Sequence, residues 1–327
     1  MLNEKQIKTF QNQGFLLVEQ VLDPIEILDP IISEYTILLD DLVRGLIAEG
    51  KLTESFEDLD FRSRMTEVFK ATGETFAQYF NMCLPLLNVS KDTPFWTGPA
   101  IFNLIRNAKL LDIVESIIGA EIASNPVQYV RIKPPQNIIA KGMRRSGLVG
   151  KTPWHQDAAV LPPDCGTELI TVWVPINDAD ELNGCLQFIE SGQDHDLIKH
   201  GFGPVDGLEI PQEVVSNREP VVVPAKRGDI LLIHRNCPHS SLPNVSNEIR
   251  FSLDLRYNPS HQPSGREIFP SFIARSRKNP ASELRDPEKW TQMWMEARHW
   301  LATSPDAPKT AYDLSLIHIS EPTRPLY

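Results

Sequence analysis

Apolar residues recur three and four positions apart through the first third of the chain. After Gly119 they switch to alternation with a period of two, so helices should give way to short strands there. Ile7 and Phe10 ahead of Gly14 predict a helix over 4–13, ended by a glycine that accepts the left-handed conformation, with a strand from Phe15 to Val18 behind it. Asp29-Pro30 supplies an N-cap and a first-turn proline, and Ile31, Tyr35, Leu38, Leu39, Leu42 and Leu46 then repeat on one face up to Gly50. The same spacing predicts helix over 54–82, through Met65, Val68, Phe69, Phe76 and Phe80, and over 108–118, where Leu110, Leu111, Val114, Ile117 and Ile118 precede Gly119. Beyond it, short apolar stretches bounded by turn residues predict strands at 127–133, 152–158, 168–176, 184–190, 219–224, 229–234 and 249–257. That many strands without alternating helices imply an antiparallel jelly roll rather than a doubly wound sheet. A last helix over 283–302 carries Trp290, Met293, Trp294, Ala297, Trp300 and Leu301 on one face, expected to cover a sheet or a second copy. The expected fold is mainly β with flanking helices: a helical part over about 1–120, a double-stranded β-helix (jelly-roll) core over about 121–260 and a helical extension over about 261–303.

A chain of 327 residues, 41% of them hydrophobic, can bury a large core, and no linker or composition break divides it, so residues 1–313 are expected to form one domain. Residues 314–327 fit no preceding element and are expected to be a non-native tail that displaces the true C-terminus and any targeting signal there. The net charge of -11 excludes nucleic acid or an anionic membrane surface as the main partner. Cysteines 83, 165, 185 and 237 form no CxxC pair and no disulfide framework, which suits reduced thiols in a cytoplasmic protein. No apolar leader and no 18-residue apolar run is present, so neither secretion nor a membrane span is indicated. A monomer and a homodimer are equally compatible with these features.

The chemistry centres on Trp154-His155-Gln156-Asp157. In a strand, side chains at i and i+2 leave the same face, so His155 and Asp157 could close on one ion. A third ligand is expected from the buried strand after Gly228-Asp229, which delivers His234 and His239; only one of them can serve. His239 is the better candidate because Arg250 follows it by eleven residues, at the start of a strand where an inward guanidinium needs an anion to offset its desolvation. A dicarboxylate cosubstrate would supply that anion, and an internal salt bridge to Asp254 is the competing explanation. Two histidines and a carboxylate leave three iron positions open, the arrangement of non-haem Fe(II) oxygenases. If Arg250 points inward, Ser252, Asp254 and Arg256 share its face. The loop over 141–147, with its glycines and three cations, is either a lid over an anionic small-molecule substrate or a solvated loop, and Lys133 is a weaker pocket candidate.

This constellation resembles the phytanoyl-CoA dioxygenase family of Fe(II)/2-oxoglutarate oxygenases, over roughly residues 2–257. The resemblance implies His155, Asp157 and His239 as iron ligands, Arg250 and Ser241 as the grip on 2-oxoglutarate, and Trp173, sixteen residues past the aspartate, as a wall of the cosubstrate pocket. It further implies O2 as co-reactant, succinate and CO2 as coproducts, and hydroxylation of a substrate C–H bond, since related halogenases lack the carboxylate that Asp157 provides. The opening Gly14-Phe-Leu-Leu-Val18 and Asn183-Gly-Cys-Leu186 are also similar to the family. One departure is Ile189-Glu-Ser-Gly-Gln-Asp-His195, where the family has a Pro-Gly-Ser-His turn; His195 and His200 read as loop residues. Two other readings stay open: a cupin-like metalloenzyme that does not use 2-oxoglutarate, and a non-catalytic jelly-roll binding protein.

Overall fold

Asn3 and Gln6 cap the first helix reciprocally, each side chain accepting the other's backbone N–H, and Gly14 at φ 82° ends it, so α1 spans Glu4–Gln13. This is the first element of a computed structural model that describes residues 1–85, 87–139, 152–162, 165–191, 196–202 and 208–307. The candidate lid at 141–147, His195 and the tail at 314–327 lie outside the described residues. Strand β1 (Phe15–Val18) follows, then α2 (Asp29–Ala48), which buries Ile31, Tyr35, Leu38, Leu39, Val43 and Leu46 as its spacing predicts.

The helix expected over 54–82 is broken. Asp60 accepts the N–H groups of Arg62 and Ser63 and so starts α3 (Phe61–Thr72), which Gly73 ends at φ 76°; a single turn, α4 (Ala77–Phe80), comes next. Pro99 opens α5 (Pro99–Ile105), a short helix that the periodicity did not show, before α6 (Ala108–Ile118). The remaining elements, in order, are β2 (Glu121–Ser124), β3 (Tyr129–Lys133), β4 (Ile170–Pro175), β5 (Leu186–Phe188), β6 (Gly201–Phe202), β7 (Leu208–Glu209), α7 (Gln212–Val215), β8 (Val221–Val223), β9 (Ile230–His234), β10 (His239–Ser241), β11 (Arg250–Pro259), β12 (Phe272–Ser276) and α8 (Pro287–Thr303).

The core is a double-stranded β-helix. Its major sheet runs β1-β9-β4-β11-β2-β12, with β3 also paired to β11, and its minor sheet runs β10-β5-β8; every pairing is antiparallel. Two expectations fail here. Residues 152–158 are not a strand: only His155 pairs, through an isolated bridge to His239, and Asp157–Val160 turns as a 3-10 helix. The region 261–303 is not wholly helical, because β12 pairs with β2 and closes that edge of the major sheet.

One hydrophobic cluster joins the helical third to the sheet. Trp290 of α8 packs on Phe102 and Phe272, with centroids 5.6 and 6.1 Å away, and Trp294 and Leu301 extend that face, whereas Trp300 is 40% exposed and belongs to the other side. Gly184, at φ 90°, lets the Asn183-Gly-Cys turn approach the minor sheet: a Cβ there would lie 2.6 Å from the Leu242 carbonyl oxygen. No helix among the described residues is long and apolar enough to cross a membrane.

Candidate metal centre

The bridge that replaces the expected strand sets the site. His155 and His239 exchange backbone N–H···O bonds, 3.0 Å each way, so the two residues face one another across adjacent segments of the chain. Each ring is turned by the same local device. Nδ1 of His155 bonds the Pro153 carbonyl at 2.9 Å and Nδ1 of His239 bonds the Cys237 carbonyl at 3.0 Å, which leaves both Nε2 atoms directed at the site. The ring centroids are 4.2 Å apart. Asp157 reaches the same point from the start of the 3-10 turn, and ligand atoms of His155, Asp157 and His239 all lie within 4.8 Å of one another.

The carboxylate of Asp157 is 1% exposed and held on both oxygens. Arg256 Nη2 donates to Oδ1 at 2.5 Å and Thr171 Oγ1 donates to Oδ2 at 2.5 Å, while Arg256 also bonds the Val127 carbonyl at 2.9 Å. Burial alone would raise the pKa of this group, but Arg256, the two histidines and Thr171 hold it well below the usual carboxylate range. Burial and the facing His239 push His155 down to about 3. An ionised carboxylate beside a neutral imidazole with a directed Nε2 is in the protonation state that a divalent metal requires, so the donor set fits iron.

Arg250 is 2% exposed, and among the described residues its only hydrogen bond runs from Nη1 to Ser252 Oγ. Its Nε is buried without a partner, its guanidinium lies over Trp173 at 5.4 Å, and burial lowers its pKa to about 10. The competing salt bridge to Asp254 is not formed: Asp254 instead accepts from Arg131 Nε at 2.7 Å. An orphaned donor on a buried cation is what a missing anion leaves behind, so the 2-oxoglutarate end of the site fits as well.

Five of the expected residues, His155, Asp157, His239, Arg250 and Trp173, line one cavity. Ser241 does not line it. Its Oγ is bonded by Lys133 Nζ and by the Thr152 N–H at 2.9 Å, and Lys133, in register with Arg250, reaches the Leu242 carbonyl at 3.0 Å. Thr171 and Gln156 had not been picked out. Thr171 was legible as the inward neighbour, two residues away on β4, of Trp173. Gln156 gave no signal of its own, yet it is fully buried between the ligands, donating to the Asn236 carbonyl at 2.6 Å and accepting the Ile198 N–H at 2.7 Å. His200 is a brace rather than a ligand, its Nε2 accepting the Gln156 N–H at 3.0 Å.

His234 faces away, into a second cavity with Gln11 and Glu168, and sits edge-on to Phe10 at 6.3 Å. Burial and the adjacent Arg235 lower its pKa from 6.5 to about 4. Because the unfolded chain takes up this proton first, the contribution of His234 to stability falls from about pH 6.5 to about pH 4, by at most ~1.4 kcal/mol per pH unit. His234→Gln should flatten the decline in urea midpoint over that window; an unchanged slope would refute the assignment.

A double-stranded β-helix carrying a His-Asp-His cluster, with a buried arginine on the same cavity, defines the class of non-haem iron, 2-oxoglutarate-dependent oxygenases. The chain belongs to the phytanoyl-CoA dioxygenase (PhyH) family, whose model matches residues 10–252. It is 29% identical over 271 residues to phytanoyl-CoA dioxygenase 1 of Oryza sativa subsp. japonica, covering 78% of this chain and 88% of that protein. It is 30% identical over 125 residues to 1-deoxypentalenic acid 11-beta-hydroxylase of Streptomyces arenae, covering 35% of this chain and 43% of that one. Among solved structures, the apo non-heme monooxygenase ThoJ matches with a TM-score of 0.56 at 17% identity, over 91% of this chain and 94% of its own, which shows a common fold.

Proposed function

We propose that His155, Asp157 and His239 hold Fe(II), that Arg250 grips 2-oxoglutarate, and that the chain hydroxylates a C–H bond of a small-molecule substrate while 2-oxoglutarate leaves as succinate and CO2. The observation that carries this reading is Arg250, a guanidinium withdrawn from water, with an unpartnered Nε, on the wall of the cavity that holds the three ligand side chains. A dicarboxylate with one end at the metal and the other on Arg250 satisfies both.

Bound together, iron, 2-oxoglutarate and O2 supply the oxidising chemistry. The chain's own residues place and shield it. The Pro153 and Cys237 carbonyls keep the two imidazoles aimed, Arg256 and Thr171 keep Asp157 ionised and oriented, and Trp173 covers one face of the Arg250 guanidinium. Ser241, bonded to Lys133 and Thr152, supports the cosubstrate end from behind the cavity wall. Asp157 in the ligand set favours hydroxylation over halogenation, and the partial likeness to a hydroxylase points the same way. The shared core supports reading residues 1–313 as one catalytic domain.

The test is anaerobic titration of the purified protein with Fe(II) and 2-oxoglutarate, followed by the visible charge-transfer absorption of a metal-chelated 2-oxo acid. Wild type should develop the band, and His239→Ala should abolish it at the same concentrations. Absence of the band in wild type at saturating iron and 2-oxoglutarate would sink this reading and leave a cupin-like enzyme without 2-oxoglutarate, or a binding protein.

A further inference from the structure

Among the described residues, the wall of the iron cavity carries one more positive than negative charge, and iron with 2-oxoglutarate, neutral in sum, does not offset it. Arg131, Arg250 and Arg256 face it or the ligand carboxylate, and the carboxylates among the described residues there are Asp157 and Asp254. Arg256 is matched to Asp157, and Arg131 to Asp254. A divalent metal adds two positive charges and 2-oxoglutarate takes two away, so the described groups at the centre still sum to one positive charge. Lys133 bonds Ser241 and the Leu242 carbonyl behind that wall and does not line the cavity. The surplus charge at the centre is costly unless something that binds there neutralises it.

The donors for that partner are present. Arg131 is anchored at one nitrogen only: Nε donates to Asp254 at 2.7 Å, and the guanidinium lies over the Tyr129 ring at 5.1 Å. Neither Nη atom has a hydrogen-bond partner among the described residues, and the side chain keeps 22% of its surface open on the wall of the cavity. A guanidinium fixed through Nε and an aromatic face, with both η nitrogens open, is oriented to receive a carboxylate. Asp254 then pairs with Arg131 through Nε and aims its η nitrogens into the cavity.

We propose that the substrate of this enzyme is an organic monoanion whose carboxylate docks on the η nitrogens of Arg131. This rests on the iron/2-oxoglutarate reading above and adds the substrate class to it. One surplus charge matches a carboxylate; a phosphate group, at roughly -1.5 to -2 near neutral pH, would overshoot it.

The test uses the Fe(II)–2-oxoglutarate complex of the whole protein without oxygen, with hexanoate, hexanamide and hexyl phosphate as probes. Hexanoate should perturb the charge-transfer band saturably and at least ~10-fold more tightly than the other two, as expected of a charge-assisted hydrogen bond. Arg131→Gln should weaken hexanoate by about 10-fold or more while 2-oxoglutarate affinity stays within about twofold, and Arg131→Lys should retain part of the preference. Equal binding of hexanoate and hexanamide by wild type, no perturbation by either, or tighter binding of hexyl phosphate would overturn the proposal whatever the variants do. So would an Arg131→Gln protein that loses 2-oxoglutarate as strongly as hexanoate, since Arg131 would then belong to the cosubstrate. Failure of the wild-type band without any probe would instead refute the cosubstrate assignment, and the inference would fall with it.

Discussion

Arg256→Met should destabilise the metal-free protein by about 3–5 kcal/mol, the loss expected when one partner of a buried ion pair is removed and the other is left charged. The guanidinium and the Asp157 carboxylate are 2% and 1% exposed and 2.5 Å apart, so water cannot take the place of the missing arginine. Thr171 remains bonded to Oδ2, but a neutral hydroxyl offsets only a fraction of the desolvation of a carboxylate. The double variant Arg256→Met/Asp157→Asn should recover part of the loss, because it buries an amide in place of a charge. Urea unfolding of metal-free protein measures both effects, and a single-variant loss under about 1 kcal/mol would show that the pair is not desolvated as described.

Six residues earlier on the same strand, Arg250 should behave in the opposite way. Its buried guanidinium has no carboxylate partner among the described residues, so Arg250→Met should leave the metal-free protein as stable as wild type or more so. The same change should raise the 2-oxoglutarate Kd by about 100-fold or more, since a desolvated charge-assisted contact contributes on the order of 3 kcal/mol. Calorimetric titration of 2-oxoglutarate beside thermal melts separates the two quantities. A variant that melts far below wild type, or that binds 2-oxoglutarate normally, would remove Arg250 from the cosubstrate site.

The contrast between these two arginines marks what the amino-acid order could and could not convey. Alternation along 249–257 put both on one face, and the cost of desolvating an inward guanidinium, with the family's eleven-residue offset from His239, marked Arg250 as the candidate anion contact. Which arginine meets which carboxylate depends on register: Ser252 lies opposite Arg131 and Asp254 opposite Tyr129, so the Asp254 pairing goes to β3, across the sheet, rather than along its own strand. The His155/Asp157 spacing was informative although the strand assumed for it does not exist. Convergence comes from a one-residue bridge and a 3-10 turn, features with no periodicity to read. Strand β12 escaped notice because five residues between prolines and charges carry little pattern, and its place is set by the open edge of β2, more than a hundred residues away. The start of α3 was visible in Asp60 and its break from α4 in Gly73, but the apolar spacing ran through both and masked them.

The reciprocal backbone bridge between His155 and His239 also bears on metal selectivity. Peptide groups, rather than a bound ion, set the distance between the two ring-bearing residues. A pair of nitrogens with one carboxylate selects for coordination geometry and not for the identity of the element, and divalent ions later in the first transition row bind such a set at least as tightly as iron does. Occupancy by iron is then decided by which ion is offered when the chain folds, and protein purified from metal-rich medium should carry whatever nickel, cobalt or zinc it first met.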